Sequence, residues 1–165
     1  MRKWDDVIKD ALSMYLHSDQ YAYFYGAKGQ VLSWDVMNTL WNTYYNSYFK
    51  DRYSDKDKAD IFSWSYGKVG YDCSGYISKI TGCNADSYSI FSKCTGKSTD
   101  LSKGVAGSLL WKPSHIGIDI GYGYFLHMGR EMHSVEMGRL SEHTVDWQKC
   151  GQLSSYIDYE GSNNR

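Results

Sequence analysis

Residues 115–128, His-Ile-Gly-Ile-Asp-Ile-Gly-Tyr-Gly-Tyr-Phe-Leu-His-Met, restrict the fold more than any other stretch of this chain. Apolar residues recur with a period of two on either side of Gly121-Tyr122-Gly123, which predicts a β-hairpin. Ile116, Ile118 and Ile120 share one face, continued beyond the turn by Tyr124, Leu126 and Met128. A two-stranded ribbon with one apolar face is not stable alone, so further strands and a covering layer are required. The opposite face carries His115, Gly117 and His127. With a three-residue turn that pairs Ile120 with Tyr124, His127 falls opposite Gly117 and diagonal to His115. Diagonal neighbours are about 7–8 Å apart at the backbone, and Gly117 is expected to leave room for the two imidazoles to approach.

The covering layer is sought upstream. Val7, Ile8, Ala11, Leu12, Tyr15 and Leu16 fall at helical spacing, so residues 4–17 predict an amphipathic helix. A turn-prone segment with Gly26 and Gly29 follows. Residues 31–50 form a second helical pattern rich in rings, with Trp34, Trp41, Tyr44, Tyr45, Tyr48 and Phe49. The mixed-charge run 51–60 reads as a solvated loop or helix end. Residues 71–82 read as a short helix with Cys73 in its first turn and Gly82 as its stop. Residues 83–105, rich in Ser, Thr, Lys and Gly, read as a long loop. Strands are expected at 108–111, 115–120, 124–128 and 134–137, and around 155–159. Helices first and an antiparallel sheet afterwards is an α+β layout in one domain spanning residues 1–165, a length that buries a core without staples.

Composition removes several function classes. A formal charge of −1 leaves no electrostatic footprint for nucleic acid. No apolar run approaches the roughly 18 residues of a membrane span. The four cysteines form no C-x-x-C pair and have no histidine at zinc-finger spacing, so neither a disulfide framework nor a metal site is expected. The 16 tyrosines point to a surface that meets polar polymers such as peptides or glycans. The amino terminus lacks the apolar stretch of a signal peptide.

Cys73 sits where a helix begins, and unsatisfied N–H groups there lower a thiol pKa and stabilise a developing oxyanion. The bland alternative is a small buried hydrophobe. The hairpin histidines suit a base and its orienter: His115 takes the thiol proton while His127 fixes the ring through its second nitrogen. Another register substitutes His133 for His127, and Glu131 or Glu136 can supply a carboxylate, a choice that strand pairing decides. Cys83, Cys94 and Cys150 show no partnered chemistry.

Asp72-Cys-Ser-Gly75, Ser114-His-Ile-Gly-Ile-Asp-Ile-Gly121 and Gly123-Tyr-Phe-Leu-His127 together resemble the NlpC/P60 family of papain-like cell-wall peptidases. Tyr23-Phe-Tyr-Gly26 is similar to that family's Tyr-x-(Trp/Tyr)-Gly element, and Tyr156-Ile-Asp-Tyr159 to a terminal strand of phage-associated members. The resemblance implies a papain-like fold, the nucleophile helix packed on a central antiparallel sheet. It also implies hydrolysis of peptidoglycan stem peptides beside γ-D-glutamate through a thioester, with no cofactor and no metal. By matching position, Cys73 is the nucleophile, His115 the base, His127 the orienter, and Tyr23 the hydroxyl that assists the oxyanion. Asp72 and Ser74 fall where the family grips the substrate's amino end, and Tyr25 and Ser114 lie within the motifs that line the substrate site. For Asp72 the plain alternative is a helix-terminal charge worth about 0.3–1 kcal/mol.

The expected partner is bacterial peptidoglycan, met by a monomer. The expected setting is a phage lysin released through a membrane pore, or a domain of a larger secreted or tail-associated protein. The chain departs from the family pattern at Ala27, where a second glycine is usual, and at Ser108, where an acidic residue is common. Residues 28–70 form an aromatic helical insertion that walls the cleft, grips glycan, or simply packs as core. An N-acetylmuramoyl-L-alanine amidase, an acyltransferase and a non-catalytic phage structural or binding protein are the alternatives.

Overall fold

The computed structural model describes residues 1–163. In chain order the elements are β1 (Arg2–Lys3), α1 (Trp4–Leu16), β2 (Tyr21–Tyr23), β3 (Lys28–Val31) and α2 (Trp34–Leu40). A π turn over Trp41–Tyr45 leads into α3 (Asn46–Tyr48), then α4 (Asp55–Ser65), β4 (Val69–Tyr71), α5 (Cys73–Thr81) and α6 (Ser87–Ser92). The sheet elements follow: β5 (Thr95–Ser98), β6 (Leu109–Lys112), β7 (His115–Gly121), β8 (Tyr124–Met128), β9 (Val135–Arg139), β10 (Lys149–Gln152) and β11 (Ile157–Asp158). The architecture is α+β. A six-stranded antiparallel sheet runs β5-β10-β6-β7-β8-β9, beside a three-stranded sheet β2-β4-β3 and a parallel pair β1-β11.

The hairpin forms with Ile118 opposite Leu126 and Asp119 opposite Phe125, the register expected from the alternation. Its tip differs. A bulge at Ile120 lets Gly121 pair with Tyr124, and the turn shrinks to Tyr122-Gly123. Both turn residues have positive φ, 58° and 82°, the condition for a tight turn whose twist matches the strands. The bulge absorbs the odd residue and keeps each side chain on its face.

Ile116, Ile118, Leu126 and Met128 bury that face against Tyr76, Ile77 and Ile80 of α5 and Val7, Ala11 and Met14 of α1. Each such side chain contributes about 1.5–3 kcal/mol relative to exposure. The other face is covered as well, by a small cluster of Leu110, Phe125, Trp147 and Cys150. α5 starts on Asp72, whose Oδ1 accepts the Gly75 N–H at 2.7 Å. It stops at Gly82, φ +83°, as the sequence predicts.

The run 51–60 is mostly exposed and forms a turn followed by the start of α4, where Ser54 and Asp57 make a reciprocal capping box. Two segments depart from expectation. The helix expected over 31–50 begins only at Trp34, because residues 28–31 pair with β4 instead. The loop expected over 83–105 holds α6, capped by Asp86, and β5. Short strands β2, β4 and β10 carry no periodic signal in the sequence. The insertion builds a core of its own with β2, in which Leu32, Met37, Leu40, Trp41, Tyr45, Ile61 and Phe62 pack on Ala22 and Phe24. Trp41 stacks on Tyr45 at 4.2 Å. Among the described residues no helix is long and apolar enough to cross a membrane.

Candidate active site

Cys73 is the first residue of α5 and is 8% exposed. Its Sγ lies 3.8 Å from the Ser114 carbonyl oxygen, at the start of the strand that carries His115. Burial, followed by the Asp72 charge, pushes the thiol up to about 12, while the Ile116 and Ser74 N–H groups and Lys28 act against that rise. The lowered thiol pKa expected at a helix N-terminus is therefore reversed, because desolvation outweighs the terminal N–H groups. No hydrogen bond joins Cys73 Sγ to a His115 nitrogen among the described residues.

The two hairpin histidines do meet. His115 Nε2 is 2.8 Å from His127 Nδ1, with the rings edge to face. His127 Nε2 lies 3.3 Å from Glu136 Oε2, and the second carboxylate oxygen pairs with His133 Nδ1. His127 and Glu136 stand directly opposite each other in the β8–β9 ladder. His133 thus joins the far end of this chain and does not replace His127. Glu131 is engaged elsewhere, accepting the Tyr45 hydroxyl at 2.9 Å. Bonds from His127 hold the Glu136 carboxyl down to about 2, against a smaller burial effect and with help from His133. Burial, then the proximity of His127 and of Lys112, pushes His115 down to about 3, so its resting ring is neutral.

Trp147, which the sequence reading missed, completes this wall. Its indole stacks on His115 at 5.2 Å with the planes 6° apart. A Cβ on Gly117 would stand 2.8 Å from that indole. Gly117 therefore makes room for Trp147. No local pattern marks Trp147, which reaches the site from a loop before β10.

Asp72 and Ser74 are committed within the protein. Asp72 Oδ1 takes the Gly75 N–H, the Ser74 hydroxyl at 3.1 Å and Lys28 Nζ at 2.7 Å, while Oδ2 accepts the Gly26 N–H at 3.2 Å. Lys28 also donates to Ser74 Oγ at 2.6 Å. A substrate ammonium at this pair would have to displace Lys28, a competitor with no signature in the sequence.

Two clefts adjoin at the Ser114–His115 junction. One, of about 430 Å³, holds Cys73, Asp72, Ser74, Lys28 and Ser114, with Tyr25, Tyr44, Tyr48 and Tyr88 along its sides. The other, of about 660 Å³, holds Tyr23, His115, His127, Glu136 and His133. Tyr23 is buried, and burial together with the charges of Cys73, Glu131 and Asp72 raises its pKa, so it remains an O–H donor. Within the insertion Trp41 and Tyr45 are core, whereas Tyr44 and Tyr48 line the thiol cleft. Cys83, Cys94 and Cys150 are buried free thiols. Among the described residues no group of three or more His, Cys, Asp or Glu side chains is arranged to hold a metal ion.

This arrangement places a thiol at a helix start, a neutral imidazole on the adjoining strand, and a second imidazole beside a carboxylate behind it, groups capable of nucleophilic chemistry. The chain matches no model of a known protein family, and no curated protein matches it.

Proposed function

We propose that the protein is a cysteine peptidase of papain-like, NlpC/P60 type that hydrolyses stem-peptide bonds of bacterial peptidoglycan next to γ-D-glutamate. The observation that carries this reading is the thiol at the start of α5 against the strand bearing a His115–His127 pair at 2.8 Å. The resting pair is thiol and neutral imidazole, so the proton moves as the bond forms. Cys73 Sγ adds to the acyl carbon, and its proton passes to His115 Nδ1, the nitrogen that the His127 bond leaves uncommitted. The N–H groups at the start of α5 and the Tyr23 hydroxyl offer donors for the oxyanion. His115 then protonates the departing amine, leaving a thioester. Water adds to the thioester with His115 again as base, and the carboxylate and the Cys73 thiol are released.

A second reading keeps the same site and moves the bond to that between N-acetylmuramic acid and L-alanine. Lys28 favours it: the Asp72–Ser74 pair already holds an ammonium, and a tyrosine-walled cleft suits an acyl group still joined to a sugar. Mass spectrometry of muropeptides after digestion of walls of known chemistry separates the two. New amino termini at the diamino acid identify an endopeptidase, and lactyl-bearing glycan identifies an amidase. Cys73→Ala is expected to abolish either product, and wild-type digestion by that variant would refute the mechanism.

A further inference from the structure

We infer that Glu136 is a positioning residue that fixes the tautomers of His127 and His115, with His133 completing its coordination, so that the lone pair of His115 is held on Nδ1. The inference rests on reading His115 as the base. An ionised carboxylate only accepts hydrogen bonds. His127 Nε2 lies 3.3 Å from Glu136 Oε2, where a bare ring lone pair would face the carboxylate charge, so the hydrogen on that nitrogen is favoured. A neutral imidazole has one N–H, so His127 Nδ1 is an acceptor. The 2.8 Å bond to His115 Nε2 then requires the hydrogen on His115 Nε2, and the lone pair is left on Nδ1. The other carboxylate oxygen accepts from His133 Nδ1 in the same way. Without the carboxylate both rings can exchange tautomers, which puts a hydrogen on His115 Nδ1 and leaves it unable to take the thiol proton.

The backbone is shaped to hold Glu136 in place. It stands opposite His127 in the ladder, so the contact follows from strand register. A Cβ at Gly129 would meet Glu136 Cδ at 2.8 Å, so any side chain there would drive the carboxylate off its partners. Residues 129–134, which bring His133 back to Glu136, are pinned by Gly129 N–H to Ser134 O at 2.8 Å and His133 N–H to Arg130 O at 2.7 Å. The His133 carbonyl accepts the Tyr23 N–H at 2.9 Å, which couples this loop to the strand of Tyr23. Arg52, Lys112, Arg130, Glu131 and Asp146 are the other charged groups in the cleft.

The test is a ¹⁵N spectrum of the imidazoles in the full-length protein at neutral pH, in which multiple-bond couplings distinguish the two tautomers. His115 and His127 are expected as Nε2–H and His133 as Nδ1–H. Either of the first two in the Nδ1–H form in the wild type overturns the inference with no variant needed. Glu136→Gln can donate as well as accept, so mixed tautomers are expected, with kcat on walls lowered by about 10-fold or more, within the roughly 10²–10⁴-fold that a general base contributes, and KM little changed. Glu136→Asp should recover part of the loss. If Cys73→Ala is inactive while Glu136→Gln keeps wild-type kcat and tautomers, the positioning role fails and the hydrolase reading stands. If Cys73→Ala digests walls like the wild type, the hydrolase reading fails, and the wild-type spectrum still decides the tautomers.

Discussion

Replacing Gly117 with Ala tests the packing that orients the base without touching a reacting atom. The added Cβ would stand 2.8 Å from both Cζ2 and Cη2 of Trp147 and 3.0 Å from the Leu126 carbonyl oxygen. Carbon contacts settle near 3.5–4.0 Å, so the indole must retreat by roughly 0.7–1.2 Å. The Leu126 carbonyl belongs to the paired strand and cannot yield. Trp147 is 7% exposed and packs edge-on against Phe125 at 5.5 Å, so its retreat disturbs a closed cluster. Overpacking of this kind costs about 1–3 kcal/mol. Urea unfolding followed by far-UV circular dichroism should show a lower midpoint with an unchanged m value. The His115 ring resonances should shift as the stacked indole moves, and those of His143 should not. Trp147→Phe removes the colliding atoms, so the double variant should recover roughly 0.5 kcal/mol or more relative to additivity. A Gly117→Ala cost below about 0.5 kcal/mol, or strictly additive variants, would refute this account of Gly117.

Iodoacetamide should label Cys73 slowly at pH 7, with the rate rising only above about pH 9, because burial pushes its thiol up to about 12; a rate already level at pH 7 would contradict a neutral resting thiol. His115 is pushed down to about 3, so between pH 6.5 and 3 the unfolded chain binds a proton that the native state does not. Its contribution to stability therefore falls with pH through that window, by up to about 1.4 kcal/mol per unit. Asp119, raised to about 6 by burial, acts oppositely between pH 6 and 3.8, where the native state binds the extra proton and gains stability on acidification. Denaturation midpoints at pH 7 and 5 should show a smaller acid loss for His115→Gln than for wild type and a larger one for Asp119→Asn; unchanged differences would contradict the assignments. Asp72→Ala removes the α5 cap and should cost about 0.5–2 kcal/mol in urea unfolding. Asp72→Asn keeps an acceptor for the Gly75 N–H and loses the half-exposed Lys28 pair and the acceptor of the Gly26 N–H, losses that Asp72→Ala shares, so its cost should be smaller than that of Asp72→Ala; equal costs would contradict the cap made by Oδ1.

What the sequence determined by itself was whatever rests on neighbours along the chain. α1 follows from apolar spacing, α5 from Asp72 at its start and Gly82 at its end, and β7–β8 from alternation around a glycine turn. The thiol at a helix start and two histidines on one face of the hairpin are legible for the same reason, since side-chain direction has a fixed period in each element. The charged run at 51–60 leaves loop and helix end open because its capping box is a short signal inside a solvated segment, while β2, β4 and β10 are too short to show any period. Tertiary structure alone decided that Glu136 and not Glu131 serves His127, because that choice depends on which residue β9 sets opposite β8. It also brought Trp147 over Gly117, placed Lys28 on the Asp72–Ser74 pair, and buried Cys73 deeply enough to reverse the pKa shift its helix position implies. Local pattern orients a side chain, but its partner and its solvent are set by chain segments that meet only in the folded state.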